Sequence, residues 1–155
     1  MTQPSIWEKD VVVGDVMSEP VLTVAPDVTL REAARQMARR RLGAAVVPAP
    51  GAESLSIITE RDVLVSLAVG EDPDVELVVT HATRDVVFAS PLWTISEAAV
   101  TMIRGDFRHL VVVEGAEAVG VLSLRDVVRI WTDNGELVDT PPTVSLKREP
   151  PPDPD

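Results

Sequence analysis

Residues 30–37 read LREAARQM, and residues 95–102 read ISEAAVTM. The second stretch follows the first at an offset of 65 residues. Thr29 precedes the first copy, and Thr94 precedes the second at the same offset. A fixed offset over several matched positions indicates an internal repeat. The chain is therefore predicted to contain two copies of one structural unit.

The repeat continues towards the C-terminus of each copy. Residues 57–63 read IITERDV and match VLSLRDV at residues 121–127, after the deletion of one residue. Both copies place a hydroxyl residue after an apolar run and an aspartate three residues later. The ordered matches predict two units of about 60 residues each, the second ending near Thr132.

Each copy has the same predicted order of elements, β-α-β-β-α. Thr29 and Thr94 occupy N-cap positions, and Glu32 and Glu97 three residues later are placed to complete capping boxes. Apolar residues then recur at the i, i+3, i+4, i+7 spacing of a half-buried helix. We predict a mixed α/β (α+β) fold built from the two units.

The composition excludes several classes of function. The chain has 155 residues and no cysteine, which removes disulfides, thiolate metal sites and thiol nucleophiles. Its two histidines, His81 and His109, are too far apart in sequence for an HExxH zinc motif. The net charge of −11 disfavours a nucleic-acid surface. We predict no enzyme, since the sequence shows no GxSxG, P-loop or Rossmann glycine motif.

The predicted organisation has five parts. An N-terminal segment (1–12) precedes the first repeat (13–70), and a linker (71–78) leads to the second repeat (79–132). The last part, 133–155, is rich in proline and acidic residues and is predicted to be disordered and dispensable for folding. The start of the chain does not resemble a signal peptide, and its apolar runs are too short to span a membrane. We expect a soluble, cytoplasmic protein.

The repeated motif at the start of the last helix allows two interpretations. In the first, Thr59 and Ser123 are N-caps, and Asp62 and Asp126 are the reciprocal acids of capping boxes. In the second, each helix start favours an anion, and each acid accepts hydrogen bonds from a ribose diol. Both interpretations remain open from the motif alone.

Taken together, the repeated stretches resemble a tandem pair of CBS domains, a Bateman module, over about residues 13–132. The resemblance is based on Asp15-Val16-Met17, on the helix start at residues 29–33, and on IITERDV and VLSLRDV. It implies that the repeats pack about a pseudo-two-fold axis and leave two clefts between them. In that family such clefts often bind AMP, ADP, ATP or S-adenosylmethionine.

The resemblance also implies roles for particular residues. Thr59 and Ser123 would contact phosphate, and the two aspartates would bind ribose. Family members often carry a basic pair before the second strand, which only the second repeat supplies. The residues implied for nucleotide binding are Thr59, Asp62, Arg108, His109, Ser123 and Asp126.

The resemblance further implies that the acid of one repeat shares a cleft with the basic pair of the other. Asp62 is then expected to face Arg108 and His109, whereas Asp126 is expected to face Gly43 and Ala44. On that basis the cleft at Asp62 is expected to prefer phosphorylated ligands. The cleft at Asp126 would lack those cations and would suit an uncharged adenosine derivative or stay empty.

The function implied by the resemblance is regulatory. The module would bind an adenine nucleotide or related ligand, form a homodimer through its Ala- and Val-rich helices, and signal to a partner protein that the sequence does not identify. No cofactor beyond that ligand is expected. The alternative is a ligand-free CBS pair that acts only as a dimerisation or protein-interaction scaffold.

Overall fold

The computed structural model of the chain describes residues 11–49 and 54–133. Two copies of a mixed α/β unit are present, so the predicted fold class is confirmed. The tail predicted to be disordered lies outside the described residues, except for Asp133, which ends the last helix. The elements of the first half are α1 (Leu30–Arg39), β1 (Ala44–Pro48), β2 (Leu55–Thr59) and α2 (Glu60–Ala68). Those of the second half are α3 (Val78–His81), β3 (Phe88–Ala89), α4 (Ile95–Gly105), β4 (His109–Glu114), β5 (Glu117–Ser123) and α5 (Leu124–Asp133).

The two sheets are small and similarly connected. Strands β1 and β2 are antiparallel, and β4 and β5 are antiparallel with β3 added in parallel beside β4. In the first repeat, the strand predicted before α1 is reduced to one parallel bridge between Thr23 and Val46. Val46 N–H donates to the Leu22 carbonyl at 2.9 Å, and the Val46 carbonyl accepts from Val24 N–H at 2.9 Å. The segment before α1 therefore runs parallel to β1, just as β3 runs parallel to β4 in the second repeat.

The predicted caps of the long helices form to different extents. In α4, the Thr94 N–H donates to Glu97 Oε2 at 2.9 Å, and the Glu97 N–H donates to Thr94 Oγ1 at 3.1 Å. In α1, Thr29 Oγ1 accepts from the Glu32 N–H at 3.2 Å. The Glu32 carboxylate, however, accepts from Gln36 Nε2 at 3.0 Å. The prediction of a complete capping box at Glu32 is therefore wrong, because that side chain turns along the helix instead.

The core of each repeat includes a segment from the start of the other sequence repeat. Val13 is fully buried in the core of the second repeat, together with Ile95 and Met102. Val78 is fully buried in the core of the first repeat, together with Leu30. The residues that form each core are therefore not identical with one sequence repeat. A short segment from each half packs into the core of the other and joins the two halves.

A third apolar cluster joins the two sheets. Ala44 and Val46 of β1 and Ile57 of β2 are buried in it, together with Val111 of β4. Because these side chains come from strands of both repeats, the cluster fixes how the sheets face each other. The starts of helices α2 and α5, which follow β2 and β5 directly, are thereby held beside the junction of the repeats.

Apolar side chains on two helices lie outside these cores. Leu64 on α2 exposes 65% of its surface, and Ile103 on α4 exposes 67%. Val65, Leu67 and Val100 on the same helices are also exposed. Within residues 11–49 and 54–133, no helix is long and apolar enough to cross a membrane.

Candidate ligand clefts

The repeated motif forms a capping box at the start of both last helices. The Thr59 N–H donates to Asp62 Oδ2 at 2.8 Å, and Thr59 Oγ1 donates to the same oxygen at 3.0 Å. The Ser123 N–H donates to Asp126 Oδ2 at 2.8 Å, and Ser123 Oγ accepts from the Asp126 N–H at 3.1 Å. The folding interpretation of the motif is thus confirmed. It leaves the second interpretation open, because each aspartate uses only Oδ2 in these bonds.

The remaining oxygen of Asp126 faces a cation. Asp126 Oδ1 lies 3.7 Å from Arg129 Nη1, and the aspartate side chain exposes only 8% of its surface. Among the described residues, no hydrogen bond or ion pair joins Asp62 Oδ1 to a protein group. Both Oδ1 atoms can therefore accept hydrogen bonds from a ligand hydroxyl group.

Asp126 lines the larger of two clefts beside the junction, here named the Asp126 cleft. Its volume is about 970 Å³. Gly43 and Ala44 lie in its lining, as expected from the resemblance, and Ser123 contributes its hydroxyl. An apolar wall is formed by Pro20, Val21, Leu22, Met37 and Leu42. The charged groups are Arg41, Arg108, Arg125, Arg129, Glu60 and Asp126, with His109 beside them.

Asp62 lines a second cleft of about 610 Å³, here named the Asp62 cleft. Arg108 and His109 line it too, so the structure brings Asp62 and the basic pair together as expected. Its charged groups are Arg61, Arg108, Glu60, Asp62, Asp85 and Asp106. Its apolar side chains are Ile57, Leu64, Val86, Val87 and Phe107. Carboxylates outnumber arginines in this cleft, whereas arginines outnumber carboxylates in the Asp126 cleft.

Arg108 and His109 lie between the two clefts and line both. The expectation that the Asp126 cleft lacks cations is therefore wrong. The reason is that the start of β4 lies at the junction of the repeats, where a side chain can reach either side. Three further arginines that the resemblance did not indicate add to the positive charge of the Asp126 cleft, and these are Arg41, Arg125 and Arg129.

The His109 ring lies close to Gly43 of the first repeat, the residue that aligns with Arg108. A Cβ atom at Gly43 would lie 3.0 Å from His109 Nε2 and 3.2 Å from Glu60 Oε1. Glycine at this position leaves room for the imidazole, so a basic pair in both repeats would crowd the junction. Burial lowers the pKa of His109 below its usual range, although the charges of Glu60 and Asp126 oppose that shift. The free protein therefore holds a neutral imidazole between its clefts at pH 7.

The comparison with protein families identifies the repeats. The model of the CBS domain matches residues 13–69 and again residues 76–133. The chain belongs to the CBS-domain family. Its two repeats form a CBS pair, so the resemblance seen in the sequence is confirmed.

A curated relative of this CBS pair is "Uncharacterized protein MJ1225" of Methanocaldococcus jannaschii. The two are 31% identical over 118 residues, which make up 76% of this chain and 42% of the relative. The chain thus spans less than half the length of that relative.

Solved structures of CBS proteins also match this chain. ATU1752 of Agrobacterium tumefaciens is 31% identical, with a TM-score of 0.71 over 77% of this chain and 92% of that chain. PAE2072 of Pyrobaculum aerophilum is 30% identical, with a TM-score of 0.67 over 75% of this chain and 89% of that chain. The structure of PAE2072 is a complex with AMP.

Sequence reasoning could have found part of the arginine set that it missed. Arg125 and Arg129 are four residues apart on α5 and flank Asp126, so they lie on one face of that helix. Arg41 follows several arginines at the end of α1, a pattern typical of a solvated helix face. Its backbone has a φ of 54°, which turns the chain after the helix and places the side chain in the lining of the Asp126 cleft.

Proposed function

We propose that this CBS pair is a regulatory module that binds an adenosine ligand carrying phosphate, with AMP as the simplest example, in the Asp126 cleft. The observation that supports this most strongly is the charge of the lining, where four arginines face two carboxylates. Charge-assisted hydrogen bonds from arginine are strong and geometrically suited to phosphate. The AMP complex of PAE2072 supports adenosine phosphate as the ligand class.

In this proposal each part of the cleft contacts one part of the ligand. Phosphate lies near the N-terminus of α5, where Ser123 and the arginines can donate hydrogen bonds. Asp126 Oδ1, which faces Arg129, accepts from the ribose hydroxyls. The base lies against the apolar wall that includes Leu22, Met37 and Leu42. No catalytic step is proposed.

In contrast to the expectation from the sequence, the Asp62 cleft is proposed to discriminate against phosphate. Four carboxylates and two arginines line it, so a phosphate group would meet net repulsion there. Thr59 and Asp62 retain the hydroxyl and acid that could hold a ribose. We therefore assign to this cleft an uncharged or cationic adenosine compound, of which S-adenosylmethionine is an example.

The signal to a partner would arise from a shift in population. A ligand that contacts both repeats favours the arrangement in which those contacts are made, and it can shift the equilibrium only by its differential affinity. Residues from both repeats line the Asp126 cleft, including Ala44 and Ser123. Ligand occupancy is thereby proposed to change the relative arrangement of the repeats or of a dimer.

A homodimer is proposed because of the exposed apolar side chains on α2 and α4, such as Leu64 and Ile103. Burying such side chains between two copies would be favourable, by roughly 1.5–3 kcal/mol for each one fully buried. This surface is also the observation that favours the second candidate function, a dimerisation scaffold without ligand. Light scattering on the wild type and on Ile103→Glu tests the dimer, with a mass near 33 kDa expected for the wild type (twice 16.7 kDa).

Calorimetric titration of the full chain with AMP, ATP and adenosine tests the ligand proposal. Phosphate contacts are worth roughly 1.5–3 kcal/mol each, so AMP should bind at least about tenfold more tightly than adenosine. Equal affinity for adenosine and AMP would contradict a phosphate-binding site. No binding of any of the three would favour the scaffold function instead.

A further inference from the structure

Three side chains on the connection between the repeats bring together atoms that can bind a metal ion. His81 Nε2 lies 2.8 Å from Glu76 Oε2 and 3.2 Å from Glu71 Oε2. The three atoms all lie within 4.8 Å of one another. None of these residues lines the Asp126 cleft or the Asp62 cleft. The cluster is therefore separate from the candidate ligand sites.

We propose that Glu71, Glu76 and His81 bind one divalent transition-metal ion of the Zn²⁺ type. Imidazole nitrogen and carboxylate oxygen bind such an ion at about 2.0–2.2 Å, so two ligand atoms on a tetrahedral ion are about 3.4 Å apart. The distances from the His81 nitrogen to the two carboxylate oxygens are close to this spacing. A small outward movement would admit the ion, with water completing its coordination.

The charge of the cluster also fits a divalent cation. Two carboxylates and a neutral imidazole carry a charge of −2, which one such ion balances. Among residues 11–49 and 54–133, the only ion pairs of Glu71 and Glu76 are those with His81. His81 Nε2 carries one proton at most, so it can donate to only one of the two carboxylates at a time. A bound ion would satisfy both carboxylates at once.

A further side chain holds one of the ligands in place. Ser66 Oγ donates to Glu71 Oε2 at 2.6 Å, and Ser66 is only 2% exposed. Hydrogen bonds of this kind orient metal-binding carboxylates, and their loss commonly lowers metal affinity about 10–100-fold. Ser66 lies on α2, whereas His81 ends α3, so an ion would fasten the connection between the repeats at both ends.

The ion would also lie near a wall of the Asp62 cleft. Thr83 follows His81 by two residues and pairs with Ile57, with N–O distances of 2.8 and 3.0 Å. Both Thr83 and Ile57 line that cleft. Metal binding would therefore hold the segment that completes the cleft, without contacting a ligand in it.

Calorimetric titration of the full chain without an affinity tag, using Zn²⁺ alone, tests this site. The chain has two histidines, so His81→Gln and His109→Gln form a matched pair. We expect one Zn²⁺ per chain in the wild type and in His109→Gln, and at least tenfold weaker binding in His81→Gln. The visible absorption of bound Co²⁺ should follow the same pattern, because it depends on the coordination geometry of the ion and would change when one ligand is lost.

Two further variants keep the test decisive if His81→Gln does not fold. Glu76→Gln preserves the size of the side chain and should also weaken Zn²⁺ binding at least tenfold, whereas Ser66→Ala should weaken it about tenfold. The proposal is overturned if the wild type shows no saturable binding of Zn²⁺. It is equally overturned if His81→Gln or Glu76→Gln binds Zn²⁺ as tightly as His109→Gln. A failure of AMP to bind would not affect this result.

Discussion

The two clefts are built from equivalent parts of the repeats, yet their charges are opposite. Arg61 of the Asp62 cleft and Arg125 of the Asp126 cleft occupy matching positions beside the motif aspartates. The contrast arises farther from the motif, where Arg41 of the first repeat aligns with Asp106 of the second. Both residues have a φ of 54° after the long helix of their repeat.

The repeated motif is thus shared by both clefts, and the residues that flank it account for the difference in charge between their linings. Pro20 lines the Asp126 cleft, and the aligned residue in the Asp62 cleft is Asp85. Arg129 on α5 aligns with Val65 on α2. Each exchange makes the Asp126 cleft more positive or the Asp62 cleft more negative. Arg41 and Asp106 thus share one backbone conformation, while the net charge of the lining has opposite signs in the two clefts.

The largest expected effect comes from reversing the charge of a matched arginine. Arg125→Glu should lower the affinity for AMP about 100-fold, because it removes a charge-assisted bond and adds repulsion. Arg61→Glu makes the same change of charge in the Asp62 cleft. It should alter the affinity for AMP less than threefold. Calorimetry measures both. Equal losses in the two variants would show that the Asp126 cleft has no special role.

Exchanging one charged residue between the clefts changes the charge of both linings and leaves the net charge of the chain unchanged. In Arg41→Asp combined with Asp106→Arg, three arginines and three carboxylates would line each cleft. We expect the affinity for AMP to fall about tenfold, since the cleft loses one favourable contact. The two residues share one backbone conformation, so little strain should result. An unchanged affinity would mean that the local charge balance does not determine binding.

A smaller effect is expected from neutralising the motif acids. Asp126→Asn keeps an oxygen that can accept from Ser123, but it weakens the bonds from ribose, so the affinity for AMP should fall about fivefold to tenfold. Asp62→Asn is the matched control and should retain wild-type affinity. Thermal unfolding of both variants checks that the helix starts remain intact. If only Asp62→Asn lowered the affinity for AMP, the ligand would have to bind in the Asp62 cleft instead.

The smallest effect concerns His109 and pH. Its pKa is lowered in the folded protein, so the unfolded chain binds the proton more readily. The free energy of unfolding should therefore fall as the pH drops below the ordinary histidine value of about 6.5, and it should be unaffected by His109 well above that value. Phosphate beside the ring would favour the protonated form, so AMP should bind about two- to threefold more tightly at pH 6 than at pH 7.5.

Titrations at the two pH values check this coupling, with His109→Gln as the control. In His109→Gln, the affinity for AMP should differ between the two pH values only by the effect of ionisation of the phosphate itself. Adenosine, which lacks phosphate, should show no such dependence in the wild type. A wild-type dependence equal to that of His109→Gln would exclude a contribution from the ring.

The sequence predicted the features that depend on local chemistry. The hydroxyl and acid at the starts of α2 and α5 form capping boxes because both partners lie within one helical turn. The box at Glu32 failed because Gln36, one turn farther along, offers the carboxylate a competing donor. Local pattern thus predicts which groups can interact but does not determine which competing bond forms.

Features that depend on packing between the repeats could not be predicted in this way. Val13 begins the first repeat in sequence but is buried in the core of the second. Arg108 was assigned to one cleft, although a side chain at the junction lines both. The positions of these side chains depend on how the two sheets pack together. The spacing of residues along the chain does not specify that packing.

The most direct test of the central claim is a crystal structure of the full chain with AMP. We expect AMP in the Asp126 cleft, with its ribose at Asp126 Oδ1 and its phosphate within hydrogen-bonding distance of at least one of Arg108, Arg125 and Arg129. AMP bound in the Asp62 cleft, with the Asp126 cleft free of nucleotide, would contradict the proposed function.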